Sequence, residues 1–235
     1  MITNRKILLP SVISFLLIEC IFGYVLQVAE GRATNVMMYL SVVLACLFCV
    51  LFVDRSWTYF ATQLALICTV CADYFLVWSE ELQQLPAMLF FSLTQLAYFA
   101  RLYVTDENVR RRAWHLWSRI AACLVAIAAT LIVLGDRADA LAFVSMFYYA
   151  NLLCNVVFAF LSFHQNSILA IGLILFALCD TVIGLDLLDG YLPAFRDSVV
   201  NKLLHPGFNL AWVFYLPSQA LLAISLLPER LKKTK

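Results

Sequence analysis

The sequence predicts an all-α protein, a polytopic membrane helical bundle of about eight transmembrane helices, and three observations carry that expectation. Of the 235 residues, 64% are apolar and 13% charged, and the mean hydropathy of +0.90 lies well above that of water-soluble domains. The apolar residues fall into about eight runs of roughly 17 to 25 residues, the length a helix needs to cross the hydrocarbon core of a bilayer. The connections between runs are short, so residues 1–235 read as a single transmembrane helical domain. Helices satisfy their own backbone groups in lipid, which leaves little else for such a chain to form.

The first run, Ile7 to Val28, follows Arg5 and Lys6 and so resembles a signal peptide. It is too long and lacks a small-residue cleavage site, and is expected to stay as a mature helix. The next three are Val36 to Val53, Trp57 to Trp78 and Ala87 to Val104. The second half repeats that count with Ser118 to Leu134, Leu141 to Phe163, Ile168 to Leu188 and Gly207 to Leu227. Pro10 and Pro217 are the only prolines well inside these runs. All eight cysteines also fall within them, where cysteine acts as a small packing residue. Cys46 with Cys49 and Cys68 with Cys71 have C-x-x-C spacing, but no second ligand pair of the expected kind follows, so no metal site is expected.

Cationic loops remain in the cytoplasm, so the 16 Lys and Arg set the orientation. With the amino terminus inside, twelve are cytoplasmic: Arg5, Lys6, Arg55, Arg101, Arg110, Arg111, Arg112, Arg119, Arg230, Lys232, Lys233 and Lys235. Four lie opposite, namely Arg32, Arg137, Arg196 and Lys202, and both termini are predicted to be cytoplasmic. Arg110 to Arg112 with Trp114 and Trp117 reads as an interfacial anchor, and a net charge of +1 argues against a nucleic-acid partner. His115 and His164 are expected in cytoplasmic loops, and His205 at the outer start of the last helix.

Against this apolar background Asp73, in TVCADYFLVW, and Asp180, in FALCDTVIGL, stand out. A carboxylate at membrane depth costs several kcal/mol unless it is paired, protonated or wetted, so its presence points to function. Asp73 lies in the third helix of the first half and Asp180 in the third helix of the second, a possible 4+4 parallel repeat. At about 1.5 Å per residue the two sit about 8 Å and about 12 Å from the outer ends of their helices. Acids at one level would favour a common aqueous pocket. There they would share one proton at neutral pH, because burial and a like charge both oppose a second ionised carboxylate.

Polar residues on neighbouring helices are the candidate substrate-binding groups: Gln95 and Tyr98 one turn apart, Asn155 with Asn151, and Tyr215 and Gln219 flanking Pro217 and Ser218. Taken singly, each also fits plain interhelical hydrogen bonding. Asp186 and Asp189 fall at an interfacial helix end, where a charge is cheap.

Together these residues resemble the YhhN-like lysoplasmalogenases, eight-helix membrane enzymes that hydrolyse the vinyl ether bond of lysoplasmalogens. The resemblance rests on Asp73 with Leu76, on Phe90, Phe91 and Tyr98, on Asp180, Thr181, Leu185 and Asp186, and on Tyr215 with Gln219. The chain has Ala72 and Cys179 where the family usually has Gly and Ser, and Gln95 where it usually has His. The resemblance implies an Asp73/Asp180 dyad, a lysophospholipid substrate and no cofactor. Its alkenyl chain would lie among Phe90, Phe91 and Phe176, with its phosphate toward Arg196 or Lys202.

Two other classes fit the acids. An intramembrane aspartyl protease would carry G-x-G-D, whose glycines VCAD and ALCD lack. A lipid-binding or proton-coupled transport protein could hold the same carboxyls without catalysis. The lipid bilayer is the expected surrounding, in a bacterial inner membrane or the endoplasmic reticulum. The oligomeric state leaves no mark on the sequence.

Overall fold

The computed structural model describes residues 5–29, 31–51, 56–79, 83–191, 199, 204 and 206–227. Among them are eight α-helices and no strand. They are α1 (Arg5–Val28), α2 (Arg32–Leu51), α3 (Trp57–Asp73), α4 (Gln84–Thr105), α5 (Val109–Leu134), α6 (Ala140–Leu161), α7 (Phe163–Tyr191) and α8 (Leu210–Ile224). Seven are long and apolar enough to cross a membrane, and α8 is a shorter apolar helix. The chain is a multi-pass membrane protein.

The bundle is apolar outside, and its mainly apolar core also holds polar side chains. Val125 and Ile132 of α5 are 67% and 83% exposed, an outer surface suited to lipid rather than water. Buried within are Thr62, Thr69, Thr94, Gln95, Asn151, Asn155 and Gln219, among apolar core residues such as Leu66, Leu152, Leu173 and Leu222. Sequential helices pack on one another in both halves, while α2 meets α8 and α4 meets α6. Between α7 and α8 the close approach depends on Gly172, where an added Cβ would sit 3.0 Å from Leu222 Cγ.

Helix α5 begins at Val109, nine residues before the expected Ser118, because Asn108 caps it: its side-chain oxygen accepts from Arg111 N at 3.2 Å. His115 is therefore helical rather than in a loop, buried, and stacked on Phe158 with ring centroids 3.3 Å apart. Two cations also depart from their expected place. Arg101 and Arg119, counted with the cytoplasmic cations at the ends of their apolar runs, are 1% and 5% exposed, inside the bundle. Arg101 donates to Thr62 Oγ1 at 3.1 Å and Ser225 Oγ at 2.6 Å, tying the end of α8 to α3 and α4. A guanidinium can be buried this way because its planar donors find several fixed acceptors at once. Without these two, ten of the expected cytoplasmic cations remain against four, so the predicted orientation keeps its charge bias.

Candidate active site

Asp73 closes α3, and the chain continues from it as a π-helical turn, Tyr74–Trp78. Ser79 N donates to Tyr74 O at 2.8 Å, five residues back. Such wide turns interrupt the regular ladder and recur at functional sites. The carboxyl is 2% exposed and accepts a hydrogen bond at 2.6 Å from the hydroxyl of Tyr215 on α8. Pro217, two residues on, has no N–H to offer the preceding turn, which leaves a main-chain carbonyl of α8 without its helical donor beside this contact.

Asp180 is held in the same way from a different helix. The Tyr148 hydroxyl of α6 donates to Asp180 Oδ2. The next pair repeats the contact: Tyr149 and Thr181 hydroxyls lie 2.7 Å apart. Thr181 spends its own proton on Ala177 O at 2.6 Å, so Tyr149 is the donor. Two successive tyrosines on α6 thus hold two successive polar residues on α7.

Aromatic rings connect the two acid–tyrosine pairs. Tyr148 lies 5.6 Å from Phe91, Phe91 lies 5.9 Å from Phe176, and Phe176 lies 5.5 Å from Tyr215, measured between ring centroids. The first contact is tilted and the other two are edge-to-face, an arrangement that fixes ring positions through their quadrupoles. Phe176 sits one turn from Asp180 on α7, so a continuous wall of rings runs from one carboxyl to the other.

Of the sequence candidates, Tyr215 joins this acid layer directly. Asn155 and Gln95 form a second layer, deeper along the helices. Asn155 Nδ2 donates to Gln95 Oε1 at 2.9 Å and to Gln95 O at 2.8 Å. Arg119 donates to Asn155 Oδ1 at 2.7 Å and to Asn151 Oδ1 at 2.6 Å, with its guanidinium 4.3 Å from the centre of the Phe99 ring. Tyr98 and Gln219 are buried, yet among the described residues the Tyr98 hydroxyl and both amide atoms of Gln219 have no hydrogen-bond partner, nor has Ser218 Oγ. Buried polar atoms without partners are places where water or a ligand is needed. Arg196, Lys202 and His205 lie outside the described residues.

Tyr148 and Arg119 are the residues that sequence reading passed over. The signal for Tyr148 was present, since Tyr148, Asn151 and Asn155 recur at the spacing of one helix face. Glu19 was also missed: it is a buried acid within the apolar run of α1, and its Oε1 has no hydrogen-bond partner among the described residues.

Residues 33–226 match the YhhN family. The chain belongs to that family. The YhhN match contains both acids, both tyrosines that bind them, and the Arg119 network, whereas α1 with Glu19 precedes it. No curated protein and no solved structure matches the chain. The likeness to YhhN proteins expected from short motifs therefore extends over most of its length.

Proposed function

We propose that the protein hydrolyses the vinyl ether bond of a lysoplasmalogen, giving a fatty aldehyde and a glycerophospho-alcohol. The observation that carries this reading is a pair of carboxyls within apolar helices, Asp73 buried and Asp180 half-buried, each bound by a tyrosine hydroxyl and joined by one aromatic wall. Vinyl ethers are cleaved by acid, and one carboxylic acid with one carboxylate suffices. The acid delivers its proton to the alkene carbon remote from oxygen, forming a new C–H bond and leaving an oxocarbenium ion. The carboxylate stabilises that cation and takes a proton from the attacking water. The hemiacetal so formed collapses, breaking the C–O bond to the glycerol, and the catalytic proton is recovered.

The phenols of Tyr148 and Tyr215 fix the carboxyls, and Phe91 and Phe176 supply an apolar surface that keeps bulk water from the cation. An opening suited to the alkenyl chain lies nearby. A recess of about 390 Å³ between α4, α5 and α6, lined by Leu89, Ser92, Ile127, Phe143, Val144 and Phe147, flanks the helix pair that carries Phe91 and Tyr148. In this reading Gln95, Tyr98, Asn155 and Gln219 bind the substrate, with Gln219 and Tyr98 presenting to it polar atoms that have no partner among the described residues, while Tyr215 acts through Asp73.

Hydrolysis in D2O tests the chemistry. Purified protein given lysoplasmalogen is expected to release aldehyde carrying one deuterium on the carbon beside the carbonyl. Release of unlabelled aldehyde, or of free fatty acid, would exclude alkene protonation. A parent protein that binds the lipid and releases nothing would favour the binding or transport reading.

A further inference from the structure

A groove of about 870 Å³ runs along the outer face of the bundle between α5 and α6. Its charged groups gather at one end, where Asn108, Arg110 and Arg111 form the rim and Trp114 stands beside them. The remainder is apolar, through Ala126 and Ala129 on one side and Met146 and Leu153 on the other, and it reaches Tyr149. Charge is unevenly committed at the rim. Arg111 Nε is 3.4 Å from Asp106 Oδ2, and Arg112 Nε donates to Asp106 O at 2.5 Å. Arg110 is exposed, and no polar contact of its side chain is seen among the described residues.

We infer that this groove is a binding site for an anionic phospholipid, its phosphate on Arg110 and Arg111 and one acyl chain lying between α5 and α6. The match is one of charge and shape: a cationic rim at an interfacial level opens into a long apolar channel. The occupant is distinct from the hydrolysed lipid. From Arg110 to Ala126, near the Tyr149 end, α5 rises about 24 Å. A lipid held at Arg110 by its phosphate would keep its headgroup-proximal bonds at that far end, remote from Asp180. What reaches Tyr149 is the chain terminus, and Tyr149 is the donor to Thr181 beside Asp180. The groove thus shares one side chain with the acid layer without delivering a scissile bond to it.

Native mass spectrometry of the full chain, released from detergent with added dioleoyl phosphatidylglycerol or dioleoyl phosphatidylcholine, tests the site. Each surface cation contributes roughly a factor of five to anionic lipid binding. With Arg111 partly engaged by Asp106, one phosphatidylglycerol is expected to bind about tenfold tighter than phosphatidylcholine. The Arg110→Gln, Arg111→Gln double variant is expected to erase that preference, and Ala129→Trp to weaken both lipids. A phosphatidylglycerol bearing a diazirine at its chain end should label the parent protein in the peptide containing Met146 to Leu153. Equal affinity for the two lipids, a preference that survives the double variant, or labelling confined to other helices would overturn the assignment. So would a dimer that excludes lipid from the groove. These readouts are independent of hydrolysis, and stand or fall separately from it.

Discussion

Replacing Tyr215 by phenylalanine removes one oxygen and keeps the ring that packs on Phe176 at 5.5 Å and Trp212 at 5.0 Å. What is lost is the 2.6 Å hydrogen bond to Asp73, in a place where both partners are buried. A hydrogen bond to a charged group is worth about 1.5–3 kcal/mol. At about 1.4 kcal/mol per factor of ten, its loss corresponds to a fall of roughly 10- to 150-fold if the interaction is made in the transition state. The apolar surface that would bind the alkenyl chain is unchanged, so kcat should fall while KM moves little. Aldehyde release from lysoplasmalogen at saturating and limiting substrate separates the two, and the melting temperature in detergent shows that the variant is folded. A folded Tyr215→Phe protein with the parent's kcat, or one altered in KM alone, would refute the role given to this phenol. Tyr148→Phe should behave alike toward Asp180.

Other expectations follow from the same geometry. The rate should be bell-shaped in pH, falling in acid as the carboxylate is protonated and in base as the acid ionises; a flat profile between about pH 4 and about pH 9, the span from an ordinary carboxyl to a fully buried one, would contradict proton sharing. Arg119→Met removes the donor that holds Asn151 and Asn155 and should cost about 3 kcal/mol, read as a drop in unfolding midpoint in detergent. Arg119→Met at parent stability would show that the second layer is not held by this cation. Gly172→Ala places a methyl 3.0 Å from Leu222 Cγ, which is fully buried, and is expected to destabilise by about 1 kcal/mol through overpacking. Gly172→Ser should be no milder.

Composition and run length made the helical bundle legible, because lipid leaves a chain few ways to satisfy its backbone. The two acids were legible for a related reason: a carboxyl inside an apolar run is expensive enough to be informative. Partners were harder to read. Tyr148 and Tyr215 are equally ordinary as letters, and only the packing of α6 on α7 and of α8 near α3 reveals that each meets an acid. Arg101 and Arg119 misled because arginine at the end of an apolar run usually marks the interface. Their acceptors, Thr62, Ser225, Asn151 and Asn155, lie 32 to 124 residues away in the chain, beyond local pattern. The π-helical turn after Asp73 has no sequence signature that periodicity could detect, since YFLVW is as apolar as its surroundings.

The most direct measurement compares aldehyde release by Asp73→Asn, Asp180→Asn and the double variant, each verified as folded. Two carboxyls that work on one proton act as a unit, so each single variant should lose nearly as much activity as the double, by about 10²- to 10⁴-fold. Single variants that retain most of the parent rate, or losses that multiply as independent factors, would contradict a shared proton at this site.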